Sequence, residues 1–174
     1  MKKVKLHKPS LEELWFRAQC MADPKTMEYN AGYDVSYSGY NYDTGCIDFD
    51  KDTWQSWYDN KMNNPNFFYA YIVDCDSNNF VGYVNFNNNP QTNHATIGIV
   101  IKYEYQGQGY MAPALQQMFI CAKEHGVKVL TDTVPDNRQR ALSSFYKNGF
   151  VKVGEYIGKK FGKDEIVCEI EKTL

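Results

Sequence analysis

Hydrophobic and polar positions near the start of the chain predict a short strand followed by a helix. Weak alternation over residues 3–7 favours the strand. A capping box then begins the helix, because the Ser10 hydroxyl and the Glu13 carboxylate can each bond the other residue's backbone N–H. The helix is predicted to end near Cys20. Its apolar face is read from the i, i+3, i+4, i+7 spacing of Leu11, Leu14, Trp15 and Ala18.

A second helix is predicted after an irregular stretch that covers residues 26–50. Asp50 is a suitable N-cap, and Asn63 with Pro65 ends the pattern. One face of this helix carries Trp54, Trp57, Tyr58 and Met62. Such a face is typical of core packing, and it also suits one wall of a substrate cleft.

The rest of the chain alternates between strand and helix patterns. Aromatic and β-branched runs at 67–73 and 80–86 predict an antiparallel hairpin. Further strands are predicted at 95–103, 127–134, 150–156 and 166–171. A helix is predicted through Leu115, Met118, Phe119 and Ala122, closing at His125-Gly126, and another over about 138–148. Because a helix crosses between the strands at 95–103 and 127–134, these two should be parallel.

This element order predicts an α/β (α+β) fold. The central sheet should be mixed and mostly antiparallel, flanked by helices, with one parallel strand–helix–strand crossover. A length of 174 residues suits a single domain over residues 1–174. No internal repeat or low-complexity linker divides the chain.

The crossover contains the most informative motif, a Gly-Gln-Gly turn between a strand and a helix. Gly107 and Gly109 let the backbone turn sharply and leave N–H groups exposed at the positive end of the helix dipole. Such a turn can hold a phosphate or pyrophosphate. No Gly-Lys-Ser/Thr follows, so the motif is not a nucleoside-triphosphatase P-loop. Its late position in the chain argues against a dinucleotide-binding fold.

The segment 106–111 resembles the pyrophosphate loop of the GNAT superfamily of acetyl-CoA-dependent N-acetyltransferases. The segment 141–150 is similar to the last helix and Gly-Phe turn of that family, and the resemblance covers about residues 67–170. It implies acetyl-CoA as co-substrate, with a strand that pairs with the pantetheine arm. The implied cofactor-binding residues are Ile99, Val100, Ile101, Gln106, Gly107, Gln108, Gly109, Tyr110 and Met111.

Two catalytic positions of the resembled family are altered in this chain. Many relatives place a carboxylate base early on the key strand, where this chain has Ala95, and no Asp or Glu occurs between Gln91 and Tyr103. His94 is the candidate base beside that place, since an imidazole titrates near neutral pH. Attack by an amine that loses its proton through water is equally consistent.

The family's usual proton donor to the leaving thiolate is a tyrosine four residues before the glycine of the Gly-Phe turn. Counting back from Gly149 gives Phe145, and Tyr146 follows it. Tyr146 is therefore predicted to act if the last helical turn is tightened. Otherwise water or Ser144 takes this role, and Tyr146 packs on the sheet.

The net charge of the chain and the charge of one loop indicate which classes of binding partner are favoured. A net charge of −2 and a pI near 5.9 disfavour nucleic acid. Residues 26–50, which we call the acidic loop, contain five acidic residues and no Lys or Arg. Carboxylates and tyrosine faces attract ammonium groups, so Tyr33, Asp34 and Tyr40 are predicted to bind an amine substrate. A solvated surface loop is the alternative.

Other features give weaker expectations. The five cysteines are scattered without a C-x-x-C pair, which favours free thiols over disulfides or zinc. No apolar segment of membrane-spanning length occurs and the first residues lack a signal-peptide pattern, so a cytoplasmic protein without a membrane partner is expected. A homodimer is left open.

The predicted function is transfer of acetyl from acetyl-CoA to a primary amine in a ternary complex, with no metal. The resemblance is strongest to the branch of ribosomal-protein N-terminal and small-amine acetyltransferases. A non-catalytic CoA-binding module is the main alternative, suggested by the missing carboxylate and the displaced tyrosine. A phosphate-binding enzyme of another kind is a third.

Overall fold

The computed structural model describes residues 2–174, which form one seven-stranded sheet with helices on both faces. The strand order is β1-β2-β3-β4-β5-β7-β6. The strands are β1 (Val4–His7), β2 (Phe67–Asp74), β3 (Phe80–Asn89), β4 (His94–Ile101), β5 (Val129–Pro135), β6 (Val151–Lys160) and β7 (Lys163–Thr173). The helices are α1 (Trp15–Ala22), α2 (Pro24–Met27), α3 (Trp54–Met62), α4 (Met111–Glu124) and α5 (Gln139–Lys147).

The sheet is antiparallel at every junction except one. β4 and β5 are parallel, and α4 makes the crossover between them. The mixed, mostly antiparallel sheet predicted from the sequence is therefore confirmed.

Alternation along the strands separates two hydrophobic clusters, one on each face of the sheet. On β2, Ala70 and Ile72 belong to the cluster beneath α4 and α5, whereas Tyr69 and Tyr71 belong to the cluster beneath α1 and α3. We call the α4/α5 side the covered face. We call the α1/α3 side the open face, because Thr96 and Thr133 are exposed on that side of β4 and β5.

The first helix buries a different face from the predicted one. Leu11–Leu14 forms a 3₁₀ turn that precedes α1, and Trp15 is 45% exposed. Leu14 of the predicted face is fully buried, but within α1 the buried residues are Phe16, Cys20 and Met21. A 3₁₀ turn has 3.0 residues per turn, so it rotates the following helix relative to a continuous α-helical pattern.

The hairpin of β6 and β7 is longer than the sequence patterns suggested. The strands continue to a two-residue turn at Phe161 and Gly162, both with positive φ (51° and 71°). This geometry suits a tight hairpin turn, for which Asn-Gly is the familiar sequence signal and Phe-Gly is not. The Phe161 N–H donates to the Gly32 carbonyl at 2.7 Å, so the turn also holds the acidic loop.

All five cysteines are free, as predicted. Within residues 2–174 no helix has the length and apolar character needed to cross a membrane.

Candidate functional site

β4 and β5 separate soon after they meet. They pair from His94 with Val129 to Thr96 with Thr131, and no further. Beyond this fork, residues 97–101 of β4 and residues 132–135 of β5 line a gap in the sheet. The backbone groups that face the gap have no ladder partner, so they are free to bond an extended ligand that carries amides.

The loop predicted to bind phosphate, residues 106–111, follows β4 at the wide end of the gap, and we call it the phosphate loop after that prediction. Gly107 and Gly109 have φ values of +73° and +86°, which favour glycine, and a Cβ added at either would meet nothing within 4 Å. The backbone N–H groups of residues 107–110 make no hydrogen bond within residues 2–174. The loop therefore presents unpaired donors to open space at the start of α4.

Side chains of the phosphate loop fix its position through hydrogen bonds to neighbouring residues. Gln106 Nε2 donates to the Ile101 carbonyl at 3.0 Å, and Gln108 Nε2 donates to the Glu104 carbonyl at 2.7 Å. The Tyr110 hydroxyl donates to buried Asp74 at 2.8 Å. Met111 packs against the core on the covered face, as predicted. These anchors leave the backbone as the surface that meets a ligand.

The gap and the loop together fit a ligand with a diphosphate at one end. Five residues separate Thr96 at the fork from Ile101, which is about 17 Å at about 3.3 Å per residue. A diphosphate held at the loop would therefore place the far end of an extended chain near the fork.

The two faces of the sheet differ at the fork. Ala95, Ile97 and Leu130 are buried on the covered face. Thr96 and Thr133, which point to the other side, are exposed. A second reactant therefore has access from the α1/α3 side, which is why we call it the open face.

Asp132 is the first residue of β5 beyond the fork. It lies on the same face as Leu130 and Val134, in a largely apolar setting. Within residues 2–174 its carboxylate accepts one hydrogen bond, from the Thr133 N–H at 2.8 Å. Burial raises the pKa of Asp132 to about 7, and the positive charge of Arg138 offsets this only in part. A carboxyl group that holds a proton near neutral pH thus lies at the narrow end of the gap.

The sequence did not single out Asp132. A signal was present, since Asp132 is the one acid in the β-strand predicted at 127–134. The meaning of that acid depends on where β4 leaves β5, which the sequence pattern does not give.

His94 and Tyr146, the predicted catalytic residues, both have exposed side chains. His94 begins β4, two residues before the fork, and shares the open face with Thr96. Tyr146 is 40% exposed on α5, and its hydroxyl makes no hydrogen bond within residues 2–174.

The end of α5 is tightened, although Tyr146 still lies at the surface. The Asn148 N–H donates to the Phe145 carbonyl and the Gly149 N–H to the Tyr146 carbonyl, each at 3.0 Å. Phe145 is buried against Phe150, with ring centroids 5.0 Å apart. The core-facing position of the helix is thus held by a residue without a hydroxyl.

Two of the predicted substrate-binding residues lie together. The Tyr33 N–H donates to the Tyr40 hydroxyl at 3.1 Å, and that hydroxyl donates to the Asn30 carbonyl at 2.7 Å. The Tyr33 hydroxyl donates to Glu165 of β7 at 2.6 Å. Asp34 is exposed and makes no ion pair within residues 2–174.

A forked parallel strand pair with a glycine loop before the next helix defines a class of proteins that bind an extended, diphosphate-bearing ligand along the sheet. The profile of the family described as "Acetyltransferase (GNAT) domain" matches residues 4–151. The chain belongs to the GNAT acetyltransferase family, as the loop and strand motifs predicted. It is an acetyl-CoA-dependent acyltransferase, and the free donors and open space at the phosphate loop fit that co-substrate.

Solved structures with the same fold have low sequence identity to this chain. A spermidine N-acetyltransferase from Vibrio cholerae, in complex with CoA and spermine, is 16% identical with a TM-score of 0.80. The match covers 98% of this chain and 95% of that one. A spermidine N-acetyltransferase chimera from Vibrio cholerae and hSSAT is 15% identical with a TM-score of 0.76, over the same shares of the two chains. No curated protein sequence matches the chain.

Proposed function

We propose that the protein transfers acetyl from acetyl-CoA to the primary amine of a small molecule or of a protein N-terminus or lysine, by direct attack in a ternary complex. The observation that carries the proposal is the gap, which has unpaired donors at its wide end and access for a second reactant at its fork.

The residues of the gap bind the co-substrate. The N–H groups of residues 107–110 hold the diphosphate, and the free backbone edge of Ile99, Val100 and Ile101 pairs with the amides of the pantetheine arm. These interactions orient the thioester toward the fork. Binding both reactants in one place converts a bimolecular step into a nearly unimolecular one.

The acceptor amine approaches from the open face, past Thr96 and Thr133. An alkyl amine with a pKa near ~10.4 is mostly protonated at neutral pH, so it must lose a proton before it attacks. His94 lies two residues from the fork on this face and is the proposed base, directly or through water. The C–N bond then forms, the C–S bond breaks, and the nitrogen releases a second proton.

The departing thiolate gains a proton, and two residues are candidates to supply it. Tyr146 is the donor predicted from the sequence, and Asp132 is the donor that its position and burial favour. Asp132 is protonated in part at neutral pH and lies at the narrow end of the gap, where the sulfur is expected.

The acidic loop supports an amine that is positively charged when it arrives. Glu28, Asp34, Asp43, Asp48 and Asp50 are all exposed and make no ion pairs within residues 2–174. Their field favours approach of an ammonium group. The neighbouring Vibrio cholerae structure contains spermine, itself an amine.

Two observations support the alternative of a non-catalytic CoA-binding module. Phe145 is buried where the family commonly has the tyrosine that protonates the thiolate, and β4 has no carboxylate. An assay of the purified protein with acetyl-CoA and a panel of amines distinguishes the two functions. Amine-dependent release of free thiol supports the enzyme. CoA binding by calorimetry without thiol release with any amine supports the module.

A further inference from the structure

Arg17 extends from α1 into a cage of four aromatic rings on the open face. The distances from its Cζ to the ring centroids are 4.5 Å (Trp57), 5.0 Å (Phe49), 5.3 Å (Tyr69) and 5.8 Å (Tyr83). Other cations in this protein, such as Lys25 over Tyr103 and Lys61 over Phe67, meet one ring each. The Arg17 guanidinium is therefore held in a defined position.

No acid accompanies this cation. Within residues 2–174 the Arg17 side chain makes no ion pair, and its fully buried Nε makes no hydrogen bond of normal geometry. The nearby Tyr69 hydroxyl is also buried, and it is the one polar group that interacts closely with the guanidinium. A buried charge without a counter-charge is costly, because it gives up hydration and gains no partner of opposite sign. Aromatic faces return part of that cost but accept no strong hydrogen bonds.

The Nη groups of Arg17 make no hydrogen bond within residues 2–174. Nε is fully buried, whereas the residue as a whole keeps part of its surface accessible. Two parallel N–H groups of a guanidinium match the two oxygens of a carboxylate. The unused donors thus have the geometry of a carboxylate site.

A second arginine, Arg138 just before α5, comes to the same region. The Arg138 Cζ lies 5.3 Å from the Tyr29 ring centroid, and Arg138 makes no ion pair within residues 2–174. Tyr29 packs on the aromatic cluster that contains Tyr69 and Tyr83. The charges of two of the three arginines in the chain therefore act on Tyr29.

The cage lies on the open face, from which the acceptor is proposed to approach the gap. Tyr83 of the cage pairs with Val100 of β4, the strand that lines the gap. One β-strand thus separates the cage from the gap.

We propose that Arg17, assisted by Arg138, binds a carboxylate on the acceptor, so that the substrate is an amino carboxylate rather than a simple amine or polyamine. This inference rests on the proposed function and names the substrate class. The charges have complementary roles: the exposed acids of the acidic loop attract the ammonium group, and partly buried Arg17 binds the carboxylate together with exposed Arg138. A zwitterion satisfies both, whereas a polyamine would place a second cation beside Arg17.

Matched acceptors test the inference. Lysine and 1,5-diaminopentane share their side-chain amine and differ by the carboxylate, as do 4-aminobutyrate and butylamine. We expect kcat/KM with acetyl-CoA to favour the carboxylate-bearing member of each pair by at least tenfold. Arg17→Met should bring this ratio toward one and Arg17→Lys should retain part of it. Arg140→Met, a change of the third arginine, should leave the ratio unchanged.

The outcomes are distinguishable. A preference for butylamine and 1,5-diaminopentane would overturn the inference and leave the proposed function standing. An unchanged ratio in Arg17→Met would show that the cage is purely structural and would overturn it as well. If Arg17→Met fails to fold, Arg138→Met gives the same test at an exposed site.

The inference also has a test that needs no turnover. If no amine is acetylated, the proposed function fails. Calorimetric titration of 4-aminobutyrate and of butylamine into the CoA-loaded protein then decides the carboxylate site separately. Binding of 4-aminobutyrate that Arg17→Met weakens by tenfold or more supports the site. Binding that is equal for the two ligands, or absent for both, overturns it.

Discussion

The hydroxyl of Tyr33 donates a 2.6 Å hydrogen bond to Glu165 and so joins the acidic loop to β7. Burial and the neighbouring carboxylate both raise the pKa of Tyr33, so the phenol keeps its proton. The Phe161 N–H bond to Gly32 adds a second tie between the same two parts of the chain. The position of the acidic loop therefore depends on the β6–β7 hairpin.

Tyr33→Phe should loosen the acidic loop without affecting the phosphate loop. A hydrogen bond to a charged group is worth about 1.5–3 kcal/mol, so we expect KM for the amine to rise about threefold or more. Affinity for CoA should not change. Faster hydrogen exchange at the amides of residues 33–48 would accompany the kinetic effect. Tyr42→Phe is the control, since Tyr42 is exposed and its ring contact with Phe161 survives. Equal KM values in the two variants would contradict the prediction.

Gly109→Val should weaken CoA binding at least tenfold, about 1.4 kcal/mol, because the side chain would fill the space in front of the phosphate loop. Gly126→Val is a matched control at the other end of α4. Gly126 also has a positive φ, +74°, and open space beside it, so its replacement carries similar backbone strain. Calorimetry with CoA should separate the two variants. Similar losses in both would mean that strain, and not the ligand, explains the effect.

Asp132→Asn should change how stability depends on pH. The folded-state pKa of Asp132 is about 7, above the ordinary aspartate pKa of 3.8, so the folded protein holds a proton that the unfolded chain releases between these values. The contribution of this group to stability is thus complete below pH ~4 and declines as pH rises toward 7. The decline is at most about 4 kcal/mol, at about 1.4 kcal/mol per unit.

Thermal unfolding at pH 5 and pH 8 checks this expectation. The gain in Tm of Asp132→Asn over the parent should be larger at pH 8 than at pH 5. Asp59→Asn, at an exposed site on α3, should show no such difference. A gain that is the same at both pH values would place the Asp132 carboxyl in contact with water.

The kcat values of two variants distinguish Asp132 from Tyr146 as the group that protonates the thiolate. Loss of a positioned general acid costs roughly 10²-fold in kcat or more. We expect the larger loss from Asp132→Asn, with CoA affinity nearly unchanged, because the Tyr146 hydroxyl lies at the surface. A loss seen in Tyr146→Phe alone would return the role to Tyr146. If both variants stay within about twofold of the parent, Ser144 or a bound water is the next candidate.

Neutralising Asp34 and Asp43 together, as Asn, should raise KM for a cationic acceptor. The increase should shrink at high salt, because exposed charges are screened. Glu12→Gln with Glu124→Gln removes two exposed charges away from the acidic loop and serves as the control. An equal effect of the two pairs would mean that net charge alone steers the substrate.

Local patterns in the sequence were sufficient for the fold and the phosphate loop. The turn at Gly107 and Gly109 and the crossover by α4 are properties of short consecutive segments, and both are confirmed. Asp132 and Arg17 were not identified, because their significance comes from partners distant in the chain. The fork decides what surrounds Asp132, and four rings from three separate regions surround Arg17.

The gap between β4 and β5 also makes the stability of the folded protein depend on the concentration of acetyl-CoA. An open gap is an internal sheet edge, the kind of surface that other extended chains can join. Occupancy closes that edge and stabilises the folded state by mass action, about 2.7 kcal/mol at a concentration one hundred times Kd. At low acetyl-CoA concentration the free energy of unfolding of this protein would therefore be smaller, and the abundance of the protein would fall with that of acetyl-CoA.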